Sequence, residues 1–111
     1  MTVSQDYKDY VIEQLAELDV VRTKRMFGGV GIYSDDIFFA LIENDTLRFK
    51  VDDSNKQDYI DCGMEPFKPY KNKNTIMSYY EVPVEILEDI EALTHWARKS
   101  IQVALNSRET K

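Results

Sequence analysis

Tyr7, Val11, Leu15 and Leu18 recur at spacings of four, four and three, which places them on one face of a helix. The pattern predicts an amphipathic helix over residues 3–18. Thr2 with Gln5 three residues later has the form of a capping box, and Glu13 and Glu17 flank the apolar face as solvated charges. Residues 24–34 read as one strand interrupted by glycine, and Ser34-Asp35-Asp36 as a turn. From Ile37 to Ile42 every position is apolar, so residues 37–43 are expected to form a strand covered on both faces, inside a sheet. Asn44-Asp45 is a two-residue hairpin signal. The alternation is strict from Thr46 to Val51: Leu47, Phe49 and Val51 point one way, and Thr46, Arg48 and Lys50 the other.

Asp52-Asp53-Ser54 opens a short helix, with Ser54 and Gln57 as its capping box and Gly63 as its C-terminal cap. Residues 63–74, which contain Pro66 and Pro69, read as a loop, and Thr75 to Val82, β-branched and aromatic, as a fourth strand. Pro83 suits a first helical position, where a missing N–H costs nothing. Ile86, Ile90, Leu93, Ala97, Ile101 and Ala104 then give a last helix its inward face as far as about Leu105. Its early acids Glu85, Glu88 and Asp89 and its late bases Arg98 and Lys99 match the helix dipole. The order α-β-β-β-α-β-α, with no repeat, linker or low-complexity segment, predicts a single α+β domain over 1–111. Its antiparallel sheet of about four strands is expected to carry the helices on one face.

A chain of 111 residues, 43% of them apolar, can bury a core without staples. Cys62 is the single cysteine, which excludes an intramolecular disulfide and fits a reducing, cytoplasmic setting. The first residues lack a basic region followed by an apolar one, and the longest apolar run is six residues. Neither a signal peptide nor a membrane span is expected. The net charge of −6 opposes non-specific attraction to nucleic acid. The charge is uneven, however. Glu81, Glu85, Glu88, Asp89 and Glu91 crowd residues 81–91 without a base, while Lys68, Lys71 and Lys73 occupy 66–75 without an acid. A local basic patch stays open.

Three of the four glycines, Gly28, Gly29 and Gly31, fall within four residues, just after Arg22, Lys24 and Arg25. The structural reading is a bulged or closely packed strand, with at least one glycine at positive φ or against another backbone. The functional reading is that the cations and backbone amides hold an anion or an acidic partner. The spacing is not that of a dinucleotide fingerprint, and no Walker-type Lys-Ser/Thr follows. His95 stands alone without metal-ligand spacing around it. Cys62 sits at a helix end, which does not activate a thiol. Glu85 and Glu88 neighbour each other on a helix but belong to a solvated face, because Ile86 and Ile90 claim the inner one.

The loop Lys68-Pro69-Tyr70-Lys71-Asn72-Lys73-Asn74 mixes bases with an aromatic, as a phosphate- or base-contacting loop does. Tyr79 and Tyr80 point to opposite faces of their strand. A sheet face showing Met26, Val30, Phe38 and Met77 is a candidate protein-binding surface.

Several separated segments carry a family resemblance. Arg25-Met26-Phe27-Gly28-Gly29-Val30-Gly31-Ile32-Tyr33 resembles the opening motif of the TfoX/Sxy N-terminal domain. So do Phe38-Phe39-Ala40-Leu41-Ile42, Leu47-Arg48-Phe49-Lys50-Val51-Asp52 and Gly63-Met64-Glu65-Pro66-Phe67. Met77-Ser78-Tyr79-Tyr80-Glu81-Val82-Pro83 and Leu93-Thr94-His95-Trp96-Ala97 complete the likeness, which covers roughly residues 8–105. Full-length members resemble regulators of natural competence that act with the cyclic-AMP receptor protein at promoters, and they carry a second, helical C-terminal domain. The chain, ending at Lys111, reads as a stand-alone copy. The resemblance implies no enzymatic reaction.

The expectation is a small, non-enzymatic regulatory module without cofactor or metal. Its partner would be another protein, such as a transcription regulator, or a second copy in a homodimer. The alternative is a nucleic-acid-associated regulator using the basic patch, and an enzyme is third. The candidate interaction residues are Arg22, Lys24, Arg25, Met26, Phe27, Gly28, Gly29, Phe38, Lys68, Tyr70 and Lys71.

Overall fold

The computed structural model describes residues 4–18, 20–26, 29–67 and 77–109. Helix α1 spans Gln5–Gln14, shorter than the apolar spacing predicts. Ser4 caps it, its Oγ accepting from the Tyr7 N–H at 3.2 Å. Thr2, the expected cap, lies outside the described residues. The Ser4 N–H also donates to Asp45 Oδ1 at 2.8 Å, which ties the start of the helix to a distant turn. Past Gln14 the chain continues as turns, yet Leu15 and Leu18 stay buried with Val11. The apolar stripe therefore outlasts the regular helix.

The glycine segment is not one strand but two. β1 (Val21–Met26) and β2 (Gly29–Ser34) pair antiparallel, with Met26 opposite Gly29. β3 (Ile37–Glu43) and β4 (Thr46–Lys50) follow. Asp35, Asp36, Asn44 and Asp45 all have positive φ, between 49° and 69°. That is the twist which tight two-residue hairpins require, here achieved by Asp and Asn without glycine.

Helix α2 spans Lys56–Asp61, later than expected. Asp52 Oδ1 accepts from the Ser54 N–H at 2.7 Å, and Asn55 Oδ1 accepts from the Asp52 N–H at 2.9 Å. Ser54 is thus held in a turn, Asn55 becomes the helix boundary, and the Ser54–Gln57 capping box does not form. Gly63 ends the helix as expected, at φ 78°. Its N–H bonds Ile60 O at 2.9 Å and the Met64 N–H bonds Tyr59 O at 3.0 Å, the paired bonds of a Schellman motif.

Two more strands complete the sheet, β5 (Pro66–Phe67) and β6 (Met77–Glu81). The short β5 falls in the expected loop. Among the described residues six strands lie in the order β1-β2-β3-β4-β6-β5, with every pairing antiparallel. The sheet therefore exceeds the expected four strands, and β3 is interior as predicted.

The last predicted helix is broken. Pro83 is the N-cap of α3 (Val84–Leu87), not its first helical residue, and α4 spans Ile90–Glu109. Asp89 makes the break: its carbonyl accepts from the Leu93 N–H at 2.8 Å and its Oδ1 from the Ala92 N–H at 3.2 Å. A capping Asp is worth more there than a mid-helix Asp. The break resets the helical phase. Leu87 is buried, whereas Ile90 is 38% exposed, contrary to the predicted inward face. Leu93, Ala97 and Ala104 are buried as expected.

Val30, Ile32, Ala40, Ile42, Leu47 and Phe49 form the sheet's contribution to the core, against Val11 and Leu15 from α1, Tyr59 from α2 and Leu93 and Ala97 from α4. The result is an α+β fold with helices on one face of an antiparallel sheet. Gln14 joins α1 to α3 through its side-chain amide, which donates to Leu87 O at 2.9 Å.

Candidate interaction surface

The register assigns each strand residue to a face. Val30 opposes Ile42, which opposes Leu47; Ile32 opposes Ala40, which opposes Phe49, which opposes Tyr80. These residues face the helices. The second face carries Lys24, Gly31, Leu41, Arg48 and Glu81 in one row across the sheet. Arg22, Tyr33 and Phe38 form a second row, and Lys50 opposite Tyr79 a third.

Phe38 reaches this face because of a β-bulge. Ile32 opposes Ala40 and Tyr33 opposes Phe38, so Phe39 is the extra residue on β3. Before the bulge the odd positions Ile37 and Phe39 are buried; after it, the even positions Ala40 and Ile42 are. Without the bulge, Phe38 would share the core parity of Ala40. With it, Phe39 packs on Phe49 (ring centroids 5.7 Å apart) and Phe38 turns to the opposite face.

There Phe38 meets Tyr33 at 5.1 Å and Tyr79 at 5.9 Å between centroids, both tilted. The Lys50 ammonium lies 5.2 Å from the Tyr79 ring centre, within cation–π range. Tyr79 is buried here, and burial raises its phenol pKa to about 12. Tyr80 faces the helices, its ring 5.7 Å from that of Tyr59, and is only partly buried. The two tyrosines do point opposite ways, but the one away from the helices is the more enclosed.

Arg22 and Lys24 border this face and are exposed. Arg22 is ion-paired with the exposed Asp36. Arg48 is bonded to Glu43 at 3.0 Å, so acids are interleaved with the bases. A cavity of about 330 Å³ is lined by Arg22, Thr23, Lys24 and Tyr33. Arg25 is exposed too, but it opposes Val30 and therefore takes the helix-side parity at the edge.

The fold thus unites Arg22, Lys24 and Phe38 and sets Arg25 apart. Met26 ends β1. Phe27, Gly28, Lys68, Tyr70 and Lys71 lie outside the described residues. Gly29 is pressed against β3, where an added Cβ would lie 2.4 Å from Ile42 O. The expected close backbone approach is met there. Val30 does not belong to the exposed surface, because its face is the core. Tyr33 had no distinguishing signal in the sequence; Tyr79 was legible only as one of two tyrosines on opposite faces of a strand, and Arg48 and Lys50 as the polar side of an alternating strand.

The other candidates stay outside any such cluster. His95, Glu85 and Glu88 are exposed, and Cys62 is an exposed free thiol at the α2 C-cap. Among the described residues no group of three His, Cys, Asp or Glu is placed to hold a metal ion. Nor is any described helix long and apolar enough to cross a membrane.

The family model for the TfoX N-terminal domain matches residues 13–104. The chain belongs to that family. The match starts inside α1 and ends inside α4, so this TfoX N-terminal domain contains all the strands that build the face just described. No curated protein matches the chain significantly.

Proposed function

We propose that this TfoX N-terminal domain is a small, non-catalytic regulatory module that works by binding another protein. One observation carries the reading. Phe38 and Tyr33 stand partly exposed on the sheet face opposite the helices, bordered by Arg22 and Lys24. Aromatic anchors with a charged border are the anatomy of a protein interface. The regulatory sense comes from the resemblance to TfoX/Sxy regulators of competence. Glu43 and Glu81, set among Arg48 and Lys50 on the same face, weaken its attraction for phosphates, as does the net charge of −6. A reducing cytoplasm, where Cys62 stays a thiol, is the compartment that suits it.

The test is capture of partners from native cells, identification by mass spectrometry and reconstitution with purified components. Changing Arg22, Lys24 and Arg25 together to Ser should slow association and flatten its salt dependence. Phe38→Ser should speed dissociation. Wild-type kinetics in both variants, each shown to be folded by circular dichroism, would overturn the reading. Tight binding of duplex DNA by the wild type with a steep salt slope would put nucleic acid in its place.

A further inference from the structure

We propose that the outer edge of β1 accepts an extended acidic polypeptide segment as an added strand. This rests on the protein-binding reading above and specifies the partner's chemistry. The backbone supplies the first part. The Asp35 N–H bonds Val20 O at 3.2 Å, just outside the Val21–Ser34 pair. That makes Val21–Ser34 a non-hydrogen-bonded pair, and the alternation of an antiparallel ladder follows. Arg22, Lys24 and Met26 turn their N–H and C=O groups toward β2. Val21, Thr23 and Arg25 turn theirs outward. β1 ends the strand order, and among the described residues no strand meets that outer side.

Charge supplies the second part. Arg22, Lys24 and Arg25 are exposed along this edge. Among the described residues Lys24 and Arg25 have no ion pair, and Arg22 is held only by the exposed Asp36. A strand with acids at alternate positions, laid along β1, would set carboxylates opposite Arg22 and Lys24, which share a face, at the cross-strand distance where opposite charges stabilise. The cavity lined by Arg22, Thr23, Lys24 and Tyr33 adjoins this edge.

The same features disfavour other occupants. A second copy paired symmetrically about Thr23 would set Arg22 against Lys24 of its mate, twice. Cationic edges of this kind prevent self-pairing. The phosphates of a nucleic-acid backbone are acceptors alone, whereas the edge presents carbonyl acceptors in strand register with its amide donors. A peptide backbone complements both.

The experiment uses the purified full chain and a labelled octapeptide alternating Glu or Asp with Val or Thr. Controls are a Lys-substituted peptide and a Pro-interrupted peptide of the same charge. The acidic peptide should bind and slow amide exchange at Val21, Thr23 and Arg25 by about tenfold, leaving Arg22 and Lys24, already bonded to β2, unchanged. Lys24→Glu should weaken binding by about tenfold. Thr23→Pro, which removes an outward N–H and none of the N–H groups bonded to β2, should abolish it; if that variant does not fold, the exchange pattern and Lys24→Glu decide.

Unchanged exchange at all three outward amides overturns the proposal. So does equal binding of the Pro-interrupted peptide, tighter binding of a single-stranded oligonucleotide, or concentration-dependent self-association that protects the same amides. Should the edge fail while a captured partner still depends on Phe38, the protein-binding reading survives this inference. Should partner capture ignore both Phe38 and the cations, the reading itself falls.

Discussion

A Cβ built on Gly29 would stand 2.4 Å from the carbonyl oxygen of Ile42. β2 and β3 come together there more closely than any side chain permits, and the obstacle is backbone, which cannot rotate away. Gly29→Ala should therefore cost about 1–3 kcal/mol, the usual range for overpacking. Gly63→Ala tests a different constraint. Nothing lies within 4 Å of its Cβ position, but φ is 78°, and a left-handed non-glycine residue costs about 1–2 kcal/mol. Gly63→Asn should recover part of that loss, and no relief should come from Gly29→Asn. Urea unfolding measures all four variants. A Gly29→Ala loss below about 0.5 kcal/mol would show that the β2–β3 approach relaxes freely.

Leu93 is fully buried and Ile90 is 38% exposed, although both lie on the apolar stripe read from the sequence. Leu93→Ala should cost about 2–5 kcal/mol, and Ile90→Ala under about 1 kcal/mol. Comparable losses in chemical denaturation would mean that the α3–α4 break does not reset the helical phase.

Among the described residues the Tyr59 and Ser100 hydroxyls are buried without a well-formed hydrogen bond. Burial pushes the Tyr59 phenol up, and the nearby Ser100 hydroxyl counters it only in part. The ring itself packs edge-on against Trp96 at 4.7 Å. Tyr59→Phe keeps the ring and removes an unsatisfied group, so it should be neutral or mildly stabilising. A loss above about 1 kcal/mol in thermal or urea unfolding would reveal a hydrogen bond worth that much.

Alkaline pH should destabilise the fold. Burial raises Tyr79 to about 12 from an ordinary 10.0, and it raises Tyr7 and Tyr59 as well. Below pH 10 both folded and unfolded chains hold these phenols neutral. Between about 10 and 12 the unfolded chain ionises first and the folded one does not. Stability then falls as pH rises, at up to about 1.4 kcal/mol per pH unit for each fully shifted residue. Tyr79→Phe should flatten the fall, as measured by denaturant titrations at stepped pH. An unchanged slope would show that Tyr79 titrates like a solvated phenol.

Some of these features were legible along the chain because they are local. The period of Val11, Leu15 and Leu18 buries them wherever the helix ends, and the alternation of Leu47, Phe49 and Val51 chooses a face by itself. Asn44-Asp45 and Gly63 adopt left-handed backbone where turn chemistry places it. The family motifs are local in the same sense. Other decisions belong to neighbours distant in sequence. The run Ile37 to Ile42 is apolar throughout, so alternation cannot say which residues face inward; pairing with β2, and the bulge at Phe39 that it imposes, sends Phe38 to the open face and Phe39 to the core. The glycine segment looked like one interrupted strand because a hairpin and a bulge share the same residues, and only the ladder from Met26 to Gly29 separates them. Asp89 could stand inside a helix or cap one, and the packing of Leu87 and Leu93 settles it as a cap. Arg22 and Phe38 are sixteen residues apart in sequence. They share a surface because β2 lies between them and hydrogen-bonds to both their strands.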